Sequence, residues 1–277
     1  MRLTLLGTGT PNAEPDRMGS ALAISNGDDL VLIDAGPGVV RRALQAGFAA
    51  QQLDTVFLTH LHSDHTAGLA DLWLTPPVLG RTGELRLFGP PGVAALGDGL
   101  WTAYQADLRE RSDGLEPTAV AGFGMDSTEM EPGDSAQIGE IEVTCFASAH
   151  GSWPAYGYRV ETAAGTVVVS GDTAPYDGIE ENYAGAAILV HEVYSSAGLK
   201  SRPADWRTYH EAVHTSASEL GEIAAQVRPR LLVLTHQLMW GVSEGDLVDE
   251  IERWYDGPIV FGEDLDSFEV GELVEEG

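Results

Sequence analysis

Apolar residues come in short runs along the opening third of the chain, and turn residues break the runs. Residues 2–6, 21–25 and 30–33 read as strands. Over 37–46 the spacing changes: Val39, Val40, Ala43 and Leu44 fall at helical intervals, and Gly47 ends the run. Residues 55–58 form a short buried strand that stops just before His60. Helical spacing returns over 67–74, ahead of Pro76-Pro77, and 93–111 predicts one longer helix. The middle is β again, at 141–146, 156–161 and 166–170 between Gly-rich turns. Beyond it strand and helix alternate: 187–190 strand, 217–227 helix, 231–234 strand, 244–254 helix, and final strands near Ile259 and Phe268. Two β-rich halves, each finished with helices, suit a layered sandwich, and periodicity alone leaves the class open between α/β and α+β. No fixed-period repeat, low-complexity tract or linker divides the chain, so residues 1–277 are read as a single domain.

Composition narrows the class. A hydrophobic fraction of 43% supports a substantial core, and no apolar run reaches the roughly 18 residues of a bilayer span. The start, Met1-Arg2-Leu3-Thr4-Leu5-Leu6-Gly7, breaks into Gly too early for a secretory leader, so a cytoplasmic protein is expected. Cys145 is alone, which excludes a disulfide framework within the chain and a Cys-rich zinc module. Fifteen basic residues, of which Lys200 is the one lysine, face 43 acidic ones, for a net charge of −28. The acids are spread along the whole chain, as halophilic adaptation would have it. An acidic mesophilic surface is the alternative, but it would carry more lysine. No basic footprint for nucleic acid is visible.

The decisive segment is Thr59-His60-Leu61-His62-Ser63-Asp64-His65, directly after an apolar strand. Two positions apart in an extended turn, His60 and His62 can bind one metal together, and Asp64 and His65 can address a second. Zinc accepts imidazole nitrogen and carboxylate oxygen, and hydrolytic sites keep open positions for water and substrate. Any one of these histidines alone could be an ordinary surface or core residue. Three of them with an aspartate in six positions could not easily be.

This string resembles the signature of the metallo-β-lactamase superfamily. The resemblance runs from Leu5 to about Phe268 and implies a four-layer αββα sandwich of the α+β class. It implies a third histidine on the first metal, His150; an aspartate bridging both metals, Asp172, in Gly171-Asp172-Thr173; and a last histidine on the second metal, His236, after 231–234. The implied cofactor is a pair of zinc ions, with manganese or iron as substitutes. Zinc β-lactamases use a cysteine ligand, whereas Cys145 is better read as core filling, and di-iron flavoproteins place Glu where His62 stands.

Further motifs resemble the ribonuclease Z and arylsulfatase-like branch: Leu6-Gly7-Thr8-Gly9-Thr10-Pro11, Leu32-Ile33-Asp34-Ala35-Gly36, His191-Glu192 and His214-Thr215-Ser216. Asp34 is expected to support the metal site from behind the ligands. Ser216 with Glu219 reads as a capping box opening the next helix. By resemblance His214 is the proton donor to the leaving oxygen, with Glu192 orienting it, while Asp64 also steers the nucleophile's proton. His191 is read as structural. His210, taken to lie on a polar loop, is read as inessential. Two divalent ions, two aspartates and a bridging hydroxide leave one positive charge, which suits a monoanionic phosphodiester attacked in line by that hydroxide. Trp153 and Trp240, with Trp206, Tyr209 and Tyr156, are candidates for holding an aromatic ring.

Typical ribonuclease Z proteins carry a basic arm between the third histidine and the bridging aspartate. Here 22 positions separate His150 from Asp172, with one basic residue, Arg159. Small phosphodiesters or aryl sulfates and phosphates are therefore the expected substrates, with RNA disfavoured, no membrane partner and a homodimer implied by the relatives. The alternatives are a true 3′-tRNA endoribonuclease, a lactonase, or a non-catalytic metal-binding protein.

Overall fold

The computed structural model describes residues 1–115 and 120–275. Two seven-stranded sheets pack face to face. The first holds β1 (Arg2–Gly7), β2 (Ala21–Asn26), β3 (Asp29–Ile33), β4 (Thr55–Phe57), β5 (Leu85–Gly89) and β6 (Met125–Glu129). The second holds β7 (Ser135–Ile138), β8 (Ile141–His150), β9 (Trp153–Thr162), β10 (Gly165–Val169), β11 (Ile188–Tyr194), β12 (Leu231–Leu238) and β13 (Ile259–Phe261). A last strand, β14 (Ser267–Glu269), returns to the first sheet beside β1. The first half also carries the helices α1 (Val39–Gln45), α2 (Ser63–Thr66), α3 (Leu69–Val78), α4 (Val93–Ala103) and α5 (Gln105–Asp113). The second carries α6 (Ile179–Tyr183), α7 (Ser196–Leu199), α8 (Ala204–Val213), α9 (Ala217–Val227) and α10 (Glu244–Glu252), and α11 (Val270–Glu275) follows β14.

Side-chain alternation explains the layering. On β2, Leu22 and Ile24 enter the core between the sheets, while Ala21 and Ala23 face α1 and α3. On β10, Val167 and Val169 face inward and Val168 meets the outer helices α6, α9 and α10. Three apolar layers thus separate four structural layers, the expected αββα sandwich. Among the described residues no helix is long and apolar enough to cross a membrane.

Several details differ from expectation. The helix predicted over 93–111 is two helices, α4 and α5, broken at Tyr104, whose φ of −101° and ψ of 12° leave the helical range. Strands β5, β6 and β7 were not foreseen. Those at the two sheet edges, β6 and β7, are mostly polar and exposed, so apolar alternation cannot reveal them. His210 lies on a helix, α8, and is buried. Two signals for that helix were present: Pro203 at its start and Asp205 in its first turn.

Helix α3 runs through Pro76 and Pro77, where the pattern predicted a stop. Neither proline can donate to the carbonyl one turn back, which frees those of Leu72 and Trp73. The buried Arg81 guanidinium donates to both of these oxygens (3.2 and 2.8 Å) and to the carbonyls of Leu53 (2.7 Å) and Gly122 (3.0 Å). An arginine thus replaces the two missing backbone donors.

Candidate metal centre

Strands β4, β8, β10, β11 and β12 all end at one edge of the sandwich, and the candidate side chains stand there. β8 and β10 are each antiparallel to β9 and therefore run the same way, while β10, β11 and β12 are parallel neighbours. Carboxyl ends of co-directional strands are where sheets of this kind hold their ligands. His62 precedes α2 in extended backbone, and the first turn of α2 then presents Asp64 and His65 together. Gly171 (φ 59°) turns the chain after β10, where a Cβ would come within 2.5 Å of the Tyr156 carbonyl. His236 is brought in by a bulge: β11 pairs Glu192 with Thr235 and Val193 with Gln237, which leaves His236 unpaired at φ 46°. Its N–H donates instead to the Thr8 carbonyl (3.0 Å). Such bulges re-aim a side chain near a site. The second sheet also anchors the ligand loop, since Tyr158 donates to the Leu58 carbonyl (2.7 Å) and the Tyr156 N–H to that of Thr59 (2.8 Å).

All seven expected ligands converge. His60, His62 and His150 form one group, with His62 Nδ1 3.1 Å from both His60 Nε2 and His150 Nε2. Asp64, His65 and His236 form a second, in which Asp64 Oδ2 lies 3.1 Å from His236 Nε2 and 3.5 Å from His65 Nε2. Asp172 stands between them, 3.9 Å from His60 Nε2, 3.5 Å from His65 Nε2 and 3.6 Å from His236 Nε2.

The chemistry of this donor set fits a metal. The Nδ1 of His150 meets the Val213 carbonyl (2.8 Å) and that of His65 meets Asp34 Oδ2 (2.7 Å), acceptors that demand an N–H there. Asp34 also accepts from the Thr59 hydroxyl, whose oxygen faces His60 Nδ1 (3.0 Å). The Nε2 lone pairs of His60, His65 and His150 are therefore directed inward, and carboxylate–histidine pairs of this kind orient metal ligands. Three imidazole nitrogens on one tetrahedral cation at bonds of ~2.0–2.1 Å would stand about 3.3 Å apart, close to the spacings here. His65 Nε2 is shielded from solvent and has no hydrogen-bond partner. Burial, aided by neighbouring imidazoles, lowers the pKa of His60, His62 and His150 and favours the neutral, ligating form. Burial would raise Asp172, but His236, His65 and His60 hold it well below the usual carboxylate range.

Residues 30–237 match the family described as the beta-lactamase superfamily domain. The chain is 30% identical to a ribonuclease Z of Mycobacterium marinum, over 98% of this chain and 99% of that one. The chain belongs to the beta-lactamase superfamily, on its ribonuclease Z branch. Solved structures share the fold. The metallo-beta-lactamase fold protein YhfI from Bacillus subtilis superposes with a TM-score of 0.74 at 20% identity, over 97% of this chain and 99% of that one. The short form of human tRNase Z gives 0.72 at 22% identity, over 98% and 99%. Superfamily membership and the buried histidine–aspartate cluster together support a metal-dependent hydrolase.

A cavity of about 430 Å³ opens beside the cluster, walled by His62, Asp64, Asp172, His236, His214 and an aromatic group from α8 and the segment after β12. His214 closes α8, and its Nδ1 lies 3.1 Å from Glu192 Oε1, which also accepts from the N–H groups of Thr173 (3.2 Å) and Thr215 (3.1 Å). The capping box is present, with Ser216 and Glu219 bonding reciprocally at the start of α9. Burial lowers His214 to about 4, and burial with Asp172 raises Glu192. Trp240 lines the cavity. Trp153 does not: it is half exposed and packs on the His62 ring (4.8 Å), because the hairpin between β8 and β9 carries it outside the wall. His191 lies away from the cluster, its Nδ1 donating to the Glu192 carbonyl (2.6 Å) and its Nε2 facing the Tyr183 hydroxyl (3.1 Å). Cys145 is buried mid-strand on β8, its thiol donating to the Glu131 carbonyl (3.0 Å).

Besides Asn12 and Leu238, two polar cavity residues were not legible as such in the sequence. His210 is buried against Trp206 and Trp240 rather than lying on a polar loop, and its four-residue spacing from Trp206 was the available signal. Arg202, in the turn before α8, carried no signal.

Proposed function

We propose that this protein is a binuclear zinc hydrolase of small phosphodiesters or aryl sulfates and phosphates, working in the cytoplasm. The observation that carries the reading is Asp172, which stands between two complete ligand groups at the floor of an aromatic-walled cavity. His60, His62 and His150 would hold one ion, Asp64, His65 and His236 the other, and Asp172 both. Bound there, divalent cations supply an activated water and neutralise charge on the ester oxygens. The protein's own groups do the rest. Glu192 holds His214 by Nδ1, so Nε2 is the nitrogen available to exchange a proton with the departing oxygen. Asp64, half of its carboxylate engaged by His236, is placed to take up the nucleophile's proton. Trp240 and its neighbours exclude water and favour a flat ring.

Metal analysis and turnover test this together. Purified protein is expected to carry two equivalents of zinc, and Asp172→Ala to lose both metal and hydrolysis of bis(p-nitrophenyl) phosphate. His214→Ala should lower kcat by about 10²-fold on an alkyl ester and far less on a nitrophenyl ester, whose leaving group needs no proton. Equal losses on the two esters would remove His214 from that role. Full activity after zinc is stripped would end the whole reading.

Transfer-RNA 3′ processing is the second reading. It is favoured by end-to-end similarity to proteins named ribonuclease Z. The short interval between His150 and Asp172 counts less against it because 98% of this chain covers 99% of the M. marinum protein, which leaves little room for a much longer arm there. Net charge still disfavours it. Cleavage of a precursor tRNA faster than of the small diesters, at high salt, would establish it instead.

A further inference from the structure

Among the described residues, the cavity wall contains a cation with no counter-ion. Arg202 lies in the turn between α7 and α8 and lines the cavity. Its Nε is shielded from solvent without a hydrogen-bond partner, and among the described residues its guanidinium makes no ion pair. Arg202 is half-buried overall, and this chain, rich in acidic residues, sets none of the described ones against it as an ion pair. The cavity offers only two carboxylates, Asp64 and Asp172, and both belong to the proposed ligand set.

The groups beside Arg202 are flat and uncharged. Trp206 stacks on His210 with centroids 5.6 Å apart and an interplanar angle of 24°, and Trp240 meets His210 at 4.7 Å. Burial, then His214 and Arg202, hold His210 down at about 4, so it is a neutral ring near pH 7 and neutralises nothing. Its Nδ1 is likewise buried without a partner. From the ligand His236 a series of rings leads to this place: His214 lies 5.7 Å from His236, and His210 5.5 Å from His214. Arg202 is thus on the His210 side of the cavity.

We infer that Arg202, with Trp206, His210 and Trp240, forms a subsite for an aromatic substrate group that bears its own anionic substituent, a carboxylate, away from the ester being cleaved. The inference rests on the cavity being the substrate site and specifies the substrate class: aryl esters whose ring carries a second negative charge. A guanidinium matches a carboxylate through paired N–H donors, and the aromatic wall offers flat faces on which a ring can lie.

Binding tests this independently of turnover. Tryptophan fluorescence of the metal-loaded protein, titrated with 4-hydroxybenzoate and with phenol, should show at least about tenfold preference for the carboxylate. Arg202→Gln should abolish the preference and leave phenol binding unchanged, while Arg202→Lys keeps part of it. Equal binding of the two probes to the unaltered protein, or a preference that survives in Arg202→Gln, overturns the subsite. In the paired assay, the KM of a 4-carboxyphenyl phosphodiester should rise about tenfold in Arg202→Gln, while that of the p-nitrophenyl diester stays put. Preference in binding without hydrolysis of either ester would keep the subsite and remove the hydrolase reading. Hydrolysis without preference would do the reverse.

Discussion

His191 shows what a single buried residue does to the pH response. Burial holds it at about 4, against an ordinary value of 6.5. Between those values the unfolded chain binds a proton that the folded chain refuses. Stability is therefore fully present above about 6.5 and declines as the pH falls toward 4, by about 3 kcal/mol for this residue. Urea melts of metal-free protein in chelator should show it. The loss between about pH 7 and about pH 5 should be smaller by about 2 kcal/mol in His191→Gln than in the parent. Matching losses would mean another group is responsible. Residues at this scale were unevenly legible in the sequence. The seven expected ligands were readable because their order, and their positions at strand ends, accompany the His60–His65 string. Arg202 was not, because nothing local distinguishes an arginine facing a cavity from one in solvent.

Elements were legible where apolar residues alternate under a covering layer, as in β1 to β4 and β8 to β12. They were illegible at polar sheet edges, as in β6 and β7, and where a tertiary contact overrides a local rule. Helix α3 is the clearest instance: Pro76 and Pro77 should have ended it, and Arg81, several positions later in sequence, supplies the donors that let it continue. Arg81→Leu would strand four carbonyls in the core. A loss on the order of 3 kcal/mol or more is expected, read as a fall in the urea midpoint at unchanged slope. A variant as stable as the parent would show that water or a shifted helix end replaces the guanidinium. The bulge at His236 was also invisible in sequence, since 231–234 reads as an ordinary strand running up to the ligand.

At the scale of the whole molecule, charge dominates. A surface carrying −28 repels itself at low salt. Raising KCl from about 0.1 M to about 1 M shortens the screening length from about 10 to about 3 Å. The Tm should climb by on the order of 5 °C or more, with most of the gain early in the titration. A flat curve would remove salt adaptation as the reason for the composition. The two-sheet plan has a consequence of another kind. His60, His62, Asp64 and His65 precede the second sheet in the chain, while His150, Asp172 and His236 belong to it, so neither half owns a full coordination set. On the ligand set proposed here, a nascent polypeptide cannot complete the second ion's site until β12, which carries His236, has left the ribosome and docked. Uptake of that ion would then mark the end of folding rather than guide its beginning.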